Sequence, residues 1–306
     1  MQIINKIRGS ALRHRQFKLL TSELDSKFSD VLYFNNVRWL SCGQVLNRFY
    51  DLLPEIETFL TKQNFCEELE EILTDEWKEQ FYFMCDITKH LNELNLKLQG
   101  KQKFIWKLFK DIFEFKLKLG AFKDQLAEDD FTFFSTLNAH KKKIVYRTEL
   151  FVQSIEVLIE EFESRFSDFS RYEVAFKFFK HPFIFDKTHA KELSEILNVR
   201  KTHLEFDLSL VASKTYIPGE KCEAMWARLL SENSFLVLIK IVPQFLCMFG
   251  STYVCECTFS SLARRKNKIR NKLSQENLEA EIRCEIFEDT PDFHKIALNK
   301  QCHPSH

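Results

Sequence analysis

The chain has 306 residues and 45% hydrophobic content, enough for one large or two ordinary domains around a buried core, which excludes a disordered tail. Six glycines and six prolines make about 4% of the chain where average usage gives roughly 12%, so long helices are favoured and an all-β fold is not expected. Forty-four Lys and Arg balance 44 Asp and Glu, so no net field announces a nucleic-acid or membrane partner and any charge argument is local.

In chain order, Val31-Leu32-Tyr33-Phe34 is short and apolar, a buried strand or a buried helical turn that periodicity cannot tell apart. Val45, Phe49, Leu52, Ile56 and Phe59 step by four and three and fall on one helical face, with Pro54 placed to kink or restart the helix. Glu67, Glu68, Glu70, Glu71, Asp75 and Glu76 form an acidic run, but Leu69, Ile72 and Leu73 thread it at helical spacing, which reads as a solvated helix face rather than a cation site. The same stepping recurs at Ile105, Leu108, Ile112, Phe115, Leu119 and Phe122, and again at Phe151, Ile155, Leu158, Phe162 and Phe166. Apolar stripes of this kind must be covered, so the helices are expected to pack into a multi-helix domain over most of the first two hundred residues. Breaks are expected at Gly100 and Gly120, and turns at His181-Pro182 and Ile217-Pro218-Gly219. The texture then changes, which places a boundary between 205 and 220. The apolar segment Phe235 to Phe249 is cut by Lys240, Pro243 and Gln244 and is too short to span a bilayer; parts of it up to Val242 could be strand.

Nine cysteines with no secretory signal read as a reduced, intracellular protein. Cys255-Glu256-Cys257 invites a metal reading, but no second Cys or His pair stands at zinc spacing, and Cys302, His294 and His303 show no partner pattern. No metal, cofactor or small-molecule substrate is expected. His181, His189 and His203 receive no role, and no Gly-x-Ser-x-Gly is present. The strongest local charge feature is the run from Arg264 to Lys272, in which Arg264, Arg265, Lys266, Lys268, Arg270 and Lys272 are basic and nothing is acidic. It suits phosphate neutralisation and nuclear import, or equally a solvated loop that balances the acidic helix after it. Ser274 can cap that helix, along which Leu278, Ile282 and Ile286 form a narrow apolar line that could close a core or meet a partner helix.

The block from Phe249 to Ser260, followed by Lys-x-Lys-x-Arg-x-Lys-Leu at 266–273 and Asn277-Leu278, resembles the C-terminal block of hAT-superfamily transposases, the part usually called the dimerisation domain. Val37-Arg38-Trp39-Leu40-Ser41 is similar to the Arg-Trp motif of their inserted helical domain. Asp86-Ile87-Thr88-Lys89-His90-Leu91, Leu98-Gln99-Gly100 and Pro182-Phe183 look like the domesticated subgroup, which includes transposase-like regions of general transcription factor II-I repeat proteins and of BED-zinc-finger proteins.

The resemblance implies a mainly α fold: a helical insertion-type domain over 1–210, then over 211–306 the remnant of an RNase H-like α/β core with C-terminal dimerisation helices. Glu256 matches the family's C-terminal catalytic glutamate, while the two aspartates of the two-metal site would lie before Met1, as would any BED finger. A lone carboxylate assembles no such site, so the implied protein is a catalytically inactive transposase derivative, Glu256 is a relic, and the function is dimerisation with DNA association through the six basic residues. A fragment or subunit of an active transposase and a helical scaffold without DNA binding are the alternatives. Trp39 could stack on an unpaired base, worth roughly 1–3 kcal/mol, but a tryptophan beside Val37 and Leu40 is read here as core. The expected partner is a second copy or a related hAT-derived protein, in the nucleus, with no membrane contact.

Overall fold

The computed structural model describes residues 2–33, 39–100, 103–232, 234–248, 253–266 and 272–286, and every helix or strand among them is a helix. The fold is mainly α. Contacts divide the chain into one compact unit over 1–250 and a second over 251–306. Residue 210, at which the sequence reading divides the chain, falls inside the first unit.

Among the described residues nine helices build the first part of that unit: α1 (Gln2–Arg8), α2 (Ala11–Glu23), α3 (Trp39–Asp51), α4 (Leu53–Lys62), α5 (Cys66–Leu73), α6 (Asp75–Leu98), α7 (Ile105–Ala127), α8 (Ser135–His140) and α9 (Thr148–Ser170). Pro54 does restart the helix: the chain leaves α3 at Leu52 and resumes with the proline in the first turn of α4, where its missing N–H costs nothing. The acidic run becomes α5 and the start of α6, with Ile72 fully buried. Thr74 caps α6 by accepting from the Trp77 amide. At the crossing of α3 and α6 a Cβ on Gly43 would collide with the Asn92 amide, so the close approach uses the missing side chain.

Five helices follow among the described residues: α10 (Glu173–Lys180), α11 (Ala190–Leu197), α12 (Lys201–Ser213), α13 (Cys222–Leu230) and α14 (Leu238–Leu246), with two 3-10 turns at Pro182–Ile184 and Lys187–His189. Pro182 ends the α-helix before it, and Gly219 turns the chain with φ +77°, a conformation that suits a residue without Cβ. The second unit holds α15 (Tyr253–Arg265) and α16 (Gln275–Ile286).

Three sequence expectations are corrected. Gly120 does not break a helix but sits inside α7, because one glycine costs only about 1 kcal/mol while Leu119 and Phe122 on either side are fully buried. Residues 31–33 are not strand, and the segment 238–246 is helical, so the only strand candidates are lost where described. An apolar run without alternation carries no period, and Leu238, Val242 and Phe245 bury at helical spacing.

The first unit contains two hydrophobic cores. One joins α1–α9, from Ile7 and Phe17 through Phe122 and Phe134 to Ile155. The other joins α10–α14 around Trp226, whose indole N–H donates to the Phe179 carbonyl at 2.7 Å. Helix α7 serves both, giving Phe115, Leu119 and Phe122 to the first core and packing Ile105, Trp106 and Phe109 against the second.

Candidate nucleic-acid interface

The basic run begins at the C-terminal end of α15, where cations complement the helix dipole. Ser274 caps α16 as its sequence predicts, accepting from the Asn277 amide at 3.3 Å. Between these two helices Arg264 donates to Glu285 at 2.8 Å, and Arg265 bonds Glu285 at 3.0 Å and Glu281 at 3.0 Å. The Ser261 hydroxyl also donates to Glu285. Four donors from α15 thus meet two carboxylates one turn apart on α16.

This concentration of donors holds the Glu285 carboxyl well below the usual carboxylate range, at about 2, with the Ser261 hydroxyl the largest cause and the two arginines next. Arg265 is correspondingly pushed up by Glu281 and Glu285. A phosphate that recruits Arg264 or Arg265 therefore competes with carboxylates already in place. Lys266 and Lys272 are exposed. Lys268 and Arg270 lie outside the described residues.

Leu278 and Ile282 are half-buried and share the side of α16 from which Glu281 and Glu285 grip α15; the side chain of Ile286 lies outside the described residues. The apolar line and the ion-pair line therefore run together. Glu256 stands within α15 and Trp39 opens α3, and the side chains of both lie outside the described residues. Cys255 is exposed on α15; Cys302, His294 and His303 are not described. Among the described residues no three His, Cys, Asp or Glu side chains converge as a metal site, and no helix is long and apolar enough to cross a membrane.

In the sequence Glu281 and Glu285 are part of the acidic helix that follows the basic run. Their role as partners of the arginines is hidden by a separation of 16 to 21 residues. The signal that could have exposed it is the four-residue spacing of the two glutamates opposite adjacent arginines across a turn.

Residues 1–127 match the FAM200/GTF2IRD2 helical domain, a span that closes at the last residue of α7, while the first core also needs α8 and α9. The chain is homologous to General transcription factor II-I repeat domain-containing protein 2. The Bos taurus protein is 31% identical over 276 residues, 88% of this chain and 27% of the relative, and the Mus musculus protein is 29% identical over 271 residues, 87% and 27%. The chain thus spans about a quarter of the length of the curated relatives it matches. No solved structure matches it.

Proposed function

We propose that this chain is a transposase-derived helical protein that acts by association rather than catalysis, pairing with a second copy through α15 and α16. The observation that carries this reading is the composition of that hairpin: among its described residues Ser261 is buried, whereas no apolar side chain is. Two helices with so little covered apolar surface do not sustain a core by themselves. The half-buried line of Leu278 and Ile282 is the surface a partner helix would complete. In sedimentation the wild type should be dimeric and Leu278→Asp with Ile282→Asp monomeric; a monomeric wild type ends the proposal.

DNA association is the second part of the reading, carried by Arg264, Arg265, Lys266, Lys268, Arg270 and Lys272 and supported by the transcription-factor names of the relatives, which also favour the nucleus. A phosphate-neutralising surface loses affinity steeply with salt. Alanine at all six positions should abolish DNA retention at low salt, and unchanged retention would remove DNA from the function. The engagement of Arg264 and Arg265 by Glu281 and Glu285 favours a second reading, a protein-association scaffold without DNA, and the same experiment chooses between them. The non-enzymatic part, with Glu256 as a relic and the RNase H-like ancestry of 211–306, fails if the isolated chain nicks DNA in a metal-dependent way.

A further inference from the structure

Helix α7 is apolar on two nearly opposite sides. One side is the buried seam of Leu108, Ile112, Phe115, Leu119, Phe122 and Leu126. The other is a stripe of Trp106, Phe109, Phe113 and Leu117, spaced by three and four and running about 16 Å along the helix at 1.5 Å per residue. Its first half is flanked by α10, where the Phe109 and Phe176 rings lie 5.4 Å apart. Its second half is uncovered: Phe113 is 51% and Leu117 62% exposed.

Between α7 and α10 Trp106, Phe109 and Phe113 of this stripe floor a groove of about 440 Å3, within the range of ligand-sized clefts. The groove is edged by Lys107 and Lys110 from α7 and by Lys177 and Lys180 from α10, against the two carboxylates Asp111 and Glu173. Lys110 is paired with Glu114 at 3.3 Å and Lys177 with Glu173 at 2.7 Å, both along their own helices. Lys107 and Lys180 are exposed and make no ion pair among the described residues. An apolar floor between exposed lysines is complementary to a helix that carries aliphatic or aromatic knobs along one face and carboxylates beside them.

We infer that this groove is a docking surface for an acidic amphipathic helix of a partner protein. Lysines among aromatics also occur where single-stranded nucleic acid binds, but there the bases need open ring faces to stack on. Trp106 is stacked against Phe104 at 4.3 Å and against Phe245 at 5.5 Å, both nearly parallel, so its faces are spent inside the protein. Phe109 is closed in by Phe113, Phe169 and Phe176. With Phe113 the one exposed ring of the lining, the groove offers a single aromatic, a hollow and flanking charge, which a helix uses and a run of stacked bases does not. The surface lies in the first unit and rests on no part of the self-association proposed for α15 and α16: a monomeric chain would end that proposal and leave this one standing.

The test uses the full chain and fluorescence anisotropy with three labelled probes. These are a 15-residue peptide with leucines at positions 1, 4, 8 and 11 and glutamates between them, the same peptide with lysine for every glutamate, and a 15-nucleotide oligothymidine. The glutamate peptide should bind at least tenfold more tightly than the lysine peptide. Lys107→Glu with Lys180→Glu should weaken it at least tenfold and strengthen the lysine peptide, and Phe113→Ser should weaken both peptides severalfold. All three side chains are exposed, so the variants should unfold at the wild-type temperature, which separates lost docking from lost folding. Equal affinity for both peptides, no binding of the glutamate peptide, or affinity that ignores the three substitutions overturns the inference. So does an oligothymidine that displaces the glutamate peptide and loses its own affinity in the lysine double variant, which would make the groove a nucleic-acid surface.

Discussion

The first unit and the α15–α16 hairpin solve the same problem, holding a carboxylate against several donors, in opposite surroundings. In the first unit two aspartates are buried, each at the start of a helix it does not belong to. Asp86 on α6 accepts from the amides of Thr136 at 2.9 Å and Leu137 at 3.1 Å and from the Ser135 hydroxyl, capping α8. Asp207 on α12 accepts from the amides of Leu236, Val237 and Leu238 at 2.8 to 2.9 Å, capping α14. Glu79 does similar work for Arg147 at the start of α9, bonding both its amide and its guanidinium. In the hairpin Glu285 meets its donors at the surface. Buried caps act in a low effective dielectric and leave orphaned amides when removed, whereas surface pairs are screened by salt and replaceable by water. The first unit should therefore fail by mutation and the hairpin by solution conditions.

The largest expected effect breaks that comparison on the buried side. Asp207→Ala leaves three amide donors without an acceptor where the carboxylate is fully buried, and should cost about 3–5 kcal/mol in urea unfolding. Asp86→Ala should fall in the same range. Both losses should be nearly the same at 0.05 M and 0.5 M salt. A cost under about 1 kcal/mol would mean that water replaces the carboxylate and that the caps are not what join these helices to their cores.

A smaller effect comes from protonation. His90 lies on α6 with Nε2 at 2.9 Å from the Phe133 carbonyl and Nδ1 at 3.1 Å from the Lys118 ammonium, with Glu93 beside it at 3.6 Å and Phe122 and Phe134 against the ring. Bonded in this way, the ring donates to the carbonyl and accepts from the lysine, which requires the neutral form. Burial pushes its pKa below the ordinary 6.5. Because the folded value is the lower one, the stability this neutral ring contributes is fully present above pH 6.5 and is lost as pH falls from there through the folded value. His140 and His181 are lowered by burial too and act in the same window. The melting temperature should drop from pH 7 to pH 5.5, and His90→Gln should make that slope shallower while lowering the pH 7 value. An unchanged slope would place the acid sensitivity elsewhere.

How much of this was legible in the sequence depends on separation along the chain. Five of the six positions read in the seam of α7, Leu108, Ile112, Phe115, Leu119 and Phe122, are buried because they lie within one helix and obey one period, whereas Ile105 turns to the second core and Leu126 extends the seam. The restart at Pro54 and the cap at Ser274 are equally local. Asp86 and Asp207 were invisible as caps, since their amide partners stand 29 to 51 residues away and an aspartate inside a helix pattern reads as solvated. The second stripe of α7 was also missed, because Lys107, Lys110, Asp111 and Glu114 stand among Trp106, Phe109, Phe113 and Leu117 and make that side read as solvated, and only the position of α10 shows which part is left open. At the basic run the charges were legible and their occupancy was not.

The smallest effect tests the surface side of the comparison. The Glu285 carboxyl, held at about 2 by Ser261, Arg265 and Arg264, has a folded pKa below its ordinary 4.5. A depressed carboxylate contributes stability that is fully present above pH 4.5 and disappears as pH falls toward about 2. Amide exchange in α15 and α16 should therefore quicken from pH 4.5 downward relative to its intrinsic rate, and should also quicken at pH 7 when salt rises from 0.05 M to 0.5 M, because these guanidinium–carboxylate contacts face solvent. Glu285→Gln keeps an acceptor for Ser261 but removes the charge, so protection in the hairpin should respond much less to both changes, with only the Arg265–Glu281 pair left to screen, while the amides of Leu236, Val237 and Leu238 behave as in the wild type. If the variant keeps the full salt response, the arginines are answered by Glu281 alone and the two glutamates do not act as a pair.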